Sequence, residues 1–204
     1  MTATPRRRFL RATVGVAAAG GLGSGHANTT AGSASDPGAP AALAYLPGQP
    51  KLLGEGRLRW FGLAVYDARL FAAGDGLDPE RIGASSFALE LRYARRLQGE
   101  EIAQASHREI VRLGYGSENQ RAGWLKIMRG LFPDVQPGDR ITGVHLPAGK
   151  VFFYRNDTRL GVVEDRQFGE AFFAIWLDPR TVAPELRRAL LRGVLREPAL
   201  GQAR

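Results

Sequence analysis

Alternation of apolar and polar positions marks the first ordered stretch of the chain. Arg57 and Arg59 alternate with Leu58 and Trp60 as the chain runs on to Tyr66, a period of two that predicts a strand. Ala68 to Ala73 reads as a second, short strand. In Phe87-Ala88-Leu89-Glu90-Leu91-Arg92-Tyr93 the apolar positions Phe87, Leu89, Leu91 and Tyr93 share one face. The period then changes. Gly99-Glu100-Glu101 opens a helix with its acids at the positive end of the dipole. Ile102, Ala103, Ser106, Ile110 and Leu113 follow at helical spacing, and Gly114 closes it. Ser117 caps a second helix carrying Trp124, Leu125, Met128 and Leu131, which ends before Pro133.

Three more strands are expected: Arg140 to Leu146, Lys150 to Arg155 and Arg159 to Val163. Pro147-Ala148-Gly149 and Asn156-Asp157 form the turns between them. Glu164 to Trp176 predicts a helix with Phe168, Phe172 and Ile175 in one stripe, broken at Asp178-Pro179. A last helix spans Pro184 to Leu191. Strands, two helices, three meandering strands and two helices do not alternate as a parallel fold requires. The order predicts an α+β fold, an antiparallel sheet with helices layered on one face. A roof of helices over a large sheet is a common place for an apolar ligand.

Charge changes the picture at the start of the chain. The formal net charge is +8, and residues 1–27 carry half of it, with four Arg and no acid. Arg6-Arg7, one spacer, Phe9-Leu10 and a further basic residue match a twin-arginine-type export signal. An Ala- and Gly-rich run follows, and Gly25-His26-Ala27 offers a cut after Ala27. The expected address is periplasmic or secreted, with no membrane span in the mature chain. Residues 28–44 read as a disordered linker of small polar residues, 45–195 as one domain and 196–204 as a tail. The 177 residues after Ala27 hold 24 basic and 20 acidic residues, a mildly basic balance that gives no reason to expect a nucleic-acid partner. The chain has no Cys, which excludes disulfides, a Cys-ligated metal and a thiol nucleophile. Its three scattered His predict no metal site.

Three strings carry a resemblance: Gly54-Glu55-Gly56 with Val65-Tyr66, the helix from Gly99 to Gly114, and Thr158 to Ala171 followed by Leu186-Arg187-Arg188-Ala189-Leu190-Leu191. In this order they resemble the chalcone isomerase-like family, over most of residues 50–193. The resemblance implies an open-faced sandwich with a cleft between sheet and helices. Enzymes of that family cyclise chalcones without a cofactor, using an Arg with Thr, Tyr and Asn groups, while other relatives hold fatty acids in the same cleft. Thr158 stands where the family has a late threonine and is the one catalytic candidate. Leu58 stands where the Arg is expected, Phe61 at a polar position and Ile102 where the enzymes have a Tyr. A phenyl ring donates no hydrogen bond to an oxyanion. The resemblance therefore implies a non-catalytic protein with no cofactor, binding an apolar small molecule such as a fatty acid. The ligand candidates are Arg59, Tyr66, Arg92, Ser106 and Thr158, with either Arg available to a carboxylate. Two other readings stay open: a cofactor-independent isomerase or lyase using Thr158, Tyr66 or Ser106, and a structural or interaction protein of the cell envelope.

Overall fold

The computed structural model describes residues 40–73 and 76–194. The expected signal (1–27), the linker up to residue 39 and the tail (196–204) lie outside them. Six strands, β1 (Lys51–Trp60), β2 (Leu63–Ala72), β3 (Phe87–Tyr93), β4 (Arg140–Leu146), β5 (Lys150–Arg155) and β6 (Thr158–Glu164), form one sheet in chain order. Every neighbouring pair is antiparallel. Helices α1 (Gly99–Leu113), α2 (Glu118–Leu131), α3 (Arg166–Leu177) and α4 (Pro184–Leu190) complete it. The fold is α+β, as the order of elements predicts. Among the described residues no helix is long and apolar enough to cross a membrane.

The helices start and stop for local reasons. Glu101 reaches back to the Gln98 amide (2.9 Å) at the start of α1, and Gly114 ends that helix with a φ of 82°. Ser117 and Gln120 satisfy each other's backbone amides at the start of α2. The Asp165 side chain accepts from Gln167 and Phe168 and opens α3. α3 is more deeply enclosed than a single apolar stripe suggests: nine of its 12 residues are buried. It lies in the middle of the helical layer, where Phe168 and Phe172 meet Phe153 of β5, Phe172 also meets Phe132, and Phe173 packs edge-on to Phe172.

Two expectations are corrected. The stretch Arg57 to Tyr66 is not one strand, because the chain reverses at Phe61-Gly62. Both residues have positive φ, 47° and 79°, the geometry of a two-residue hairpin turn matched to strand twist. The linker also ends earlier than Ala44. Ala41–Tyr45 forms a 3-10 turn with Ala42 and Leu43 buried on the sheet face that the helices leave bare. Tyr45 stacks there on Phe152 of β5 (5.6 Å between centroids), and the burial of these apolar groups orders the segment.

Candidate functional site

The sheet parity decides which side chains can meet. Leu58, Tyr66, Ala68, Leu70, Leu89, Leu91 and Tyr93 pack with the helices. Arg57, Asp67, Arg69, Glu90, Arg92 and Arg140 line a hollow of about 860 Å³ on the other face. The five ligand candidates therefore do not converge. Tyr66 and Ser106 are on the helical side, whereas Arg92 lines the hollow and Arg59 acts with it on Asp67. Thr158 is exposed at the start of β6, paired with Arg155. β2 and β6 are four strand spacings apart, about 19 Å, so Thr158 and Tyr66 cannot act on one small substrate. This removes the geometric basis for an isomerase built on Thr158 with Tyr66.

On the helical side, Trp176 of α3 donates to the Tyr66 hydroxyl (2.8 Å), and Tyr66 sits edge-on to Tyr93 (5.9 Å). Burial pushes both phenols above their ordinary range, so neither is ionised at neutral pH. Ser106 is committed: its hydroxyl donates back to the Ile102 carbonyl (2.9 Å). Glu109, whose charge acts on Tyr66, is paired with Arg112 at 2.9 Å. Leu58, the register partner of Tyr66, packs against the core yet keeps part of its surface. The centre of the same layer is occupied by the phenyl rings described above. Gly54 and Gly56 let α4 approach β1 directly.

On the open face the charges are mostly paired. Arg57 holds Asp67 with two hydrogen bonds, which keep that carboxyl below its usual range. Glu90 is 1% exposed and accepts from Arg69 at 2.7 Å, with Arg140 at 3.7 Å from its other oxygen. Arg140 also reaches Asp157 at 2.7 Å. Arg59 donates to the Gly62 carbonyl (3.1 Å), and neither it nor Arg92 forms an ion pair among the described residues. Sequence reasoning singled out these two cations and missed Glu90, whose position between Leu89 and Leu91 reads as an ordinary solvated residue.

No group of three or more metal-ligating side chains occurs among the described residues. His145 is fully buried between rings, stacked on Phe87 (4.9 Å), with Nδ1 3.0 Å from the Ser85 carbonyl. Burial lowers its pKa, so the folded state holds it neutral. The unfolded chain binds that proton more readily. His145 therefore adds stability above about pH 6.5 that is lost as the pH falls toward the folded pKa. Thermal melts between about pH 7.5 and 5.5 should show Tm falling with acid, and the His145→Asn chain should show a flatter profile.

Comparison with known proteins agrees with this architecture. A family model described as chalcone isomerase-like matches residues 48–192. An uncharacterized protein of Haemophilus influenzae is 31% identical over 140 residues, covering 68% of this chain and 66% of that protein, just under two thirds of its length. The crystal structure of an Arabidopsis thaliana fatty-acid binding protein superposes with a TM-score of 0.54 at 15% identity, over 70% of this chain and 86% of that one.

Proposed function

The chain belongs to the chalcone isomerase-like family, and from that footing we propose that it binds an apolar small molecule, a fatty acid, and performs no chemistry on it. The observation that carries this reading is the make-up of the Tyr66 corner. It offers apolar walls, two un-ionised phenols and an indole donor already bonded to one of them. Arg59 and Arg92, the two candidates for a carboxylate, are on the opposite face of the sheet. A proton-transfer step needs a group that changes charge near neutral pH within reach of substrate, and the Tyr hydroxyls are shifted away from that range. Binding needs only apolar contact and an orienting hydroxyl. The fatty-acid binding neighbour supports the choice of ligand. The basic, apolar, small-residue start of the chain supports export by the twin-arginine route to the periplasm, with cleavage after Ala27.

Mass spectrometry of an organic extract of the purified protein tests the reading. The expected result is a long-chain fatty acid released in near-stoichiometric amount. A lipid-free extract from protein that also fails to take up added fatty acid would overturn it.

A further inference from the structure

The β1–β2 turn places bulky apolar residues where chain geometry least favours them. Trp60, Phe61 and Leu63 are 62%, 90% and 62% exposed. Phe61 adopts a φ of 47°, a left-handed conformation in which a bulky side chain is an outlier and Asn, Asp or Gly is the ordinary occupant. Its ring touches only Trp60 edge-on (5.3 Å between centroids) among the aromatic contacts, so core packing does not explain it. Strain kept at an exposed position points to a use for that side chain.

The charge behind the tip is consistent with one kind of surface. Arg59 lies two residues back from Phe61, about 7 Å along the strand. Arg92 faces Asp67 across β2–β3, and Asp67 is already held by Arg57. Arg95 and Arg96 are exposed in the loop whose Ala94 amide bonds the Val65 carbonyl (2.9 Å), beside the hairpin. Three apolar side chains cover far less than the roughly 800 Å² per partner of a stable protein interface. They match the shallow insertion, about 5–10 Å deep, of an interfacial membrane anchor, with Trp at the boundary and Arg at the headgroups. We infer that the Trp60–Leu63 hairpin tip inserts into an anionic lipid surface, with Arg59 and Arg92 contacting headgroup phosphates. The inference is independent of the ligand held at the Tyr66 corner.

The test uses the full chain with vesicles of phosphatidylcholine alone or mixed with phosphatidylglycerol, free of fatty acid. Trp124 and Trp176 are buried, so a shift in emission reports Trp60. Arg6, Arg7, Arg8 and Arg11 also attract anionic lipid, so the comparison is between wild type and variants of the same chain. Mixed vesicles should shift the emission to shorter wavelength and sediment the protein, and added salt should weaken both. Phe61→Asn should weaken vesicle binding about tenfold or more while raising Tm, since Asn tolerates the turn. Arg59→Gln with Arg92→Gln should reduce binding on mixed vesicles toward that on phosphatidylcholine. An unshifted wild-type emission, or Phe61→Asn binding as well as wild type, would overturn the proposal. So would self-association that Phe61→Asn abolishes, because that would assign the tip to a second copy of the chain.

Discussion

Gly54→Ala should lower stability by about 3 kcal/mol or more and detach α4 from β1. A Cβ at position 54 would lie 2.1 Å from the Ala189 carbonyl oxygen and 2.5 Å from that of Leu190. Both are backbone atoms, so no side chain can turn aside, and the helix itself must move. Gly56 repeats the constraint more softly, meeting Leu186 and Ala189 side chains at 2.8 and 2.9 Å. The Gly-x-Gly pair is thus the seat of α4, and its separation by one residue follows from the period of the strand. Gly123 in α2 has nothing within 4 Å of its Cβ position. Gly123→Ala should raise stability by about 0.5–1 kcal/mol, as in an open helix interior. Urea unfolding of both variants checks the contrast.

Glu90→Ala has the next largest expected effect, a loss of about 2–3 kcal/mol. Removing the buried carboxylate takes from Arg69 its 2.7 Å bond and from Arg140 a contact at 3.7 Å, while Arg140 keeps Asp157 at 2.7 Å. The full penalty for a broken buried pair is moderated because their side chains, 22% and 28% exposed, can turn to water. A double-mutant cycle with Arg69→Met should recover part of the loss. Additive losses would mean that the pair is not coupled. Glu90 lines the open-face hollow together with Arg69 and Arg140, so this variant also reports whether that face is held rigid by ion pairing.

Much of the architecture is readable from local patterns. The alternation from Phe87 to Tyr93 assigns the two faces of β3, and Gly114, Ser117 and Asn156-Asp157 mark reversals at which their own chemistry suffices. The β1–β2 reversal is hidden because Phe at a positive φ runs against turn chemistry, with only Gly62 as a signal. The site was legible in residue types but not in arrangement. Arg59 and Tyr66 stand on different strands, and it is the register shift between Leu58 and Arg59, invisible in the alternation itself, that separates them. The contact between Tyr66 and Trp176 joins residues 110 positions apart and leaves no local trace. The burial of Glu90 depends on arginines from β2 and β4 folding over it. Likewise the order of Ala42 and Leu43 depends on Phe71, Val144 and Tyr154 being bare on the open face.

The central claim is that an apolar ligand belongs to the helical side of the sheet, at Tyr66, and not to the charged hollow behind it. Calorimetric titration of the purified chain with oleate tests this, with Leu58→Glu and Arg92→Gln alongside and their folds checked by circular dichroism. Leu58 is the register partner of Tyr66 on the helical side, and Arg92 lines the hollow. The expected result is saturable binding of one oleate, abolished by Leu58→Glu and retained by Arg92→Gln. Binding that survives Leu58→Glu but is lost with Arg92→Gln, or no saturable binding by the wild-type chain, would contradict the account.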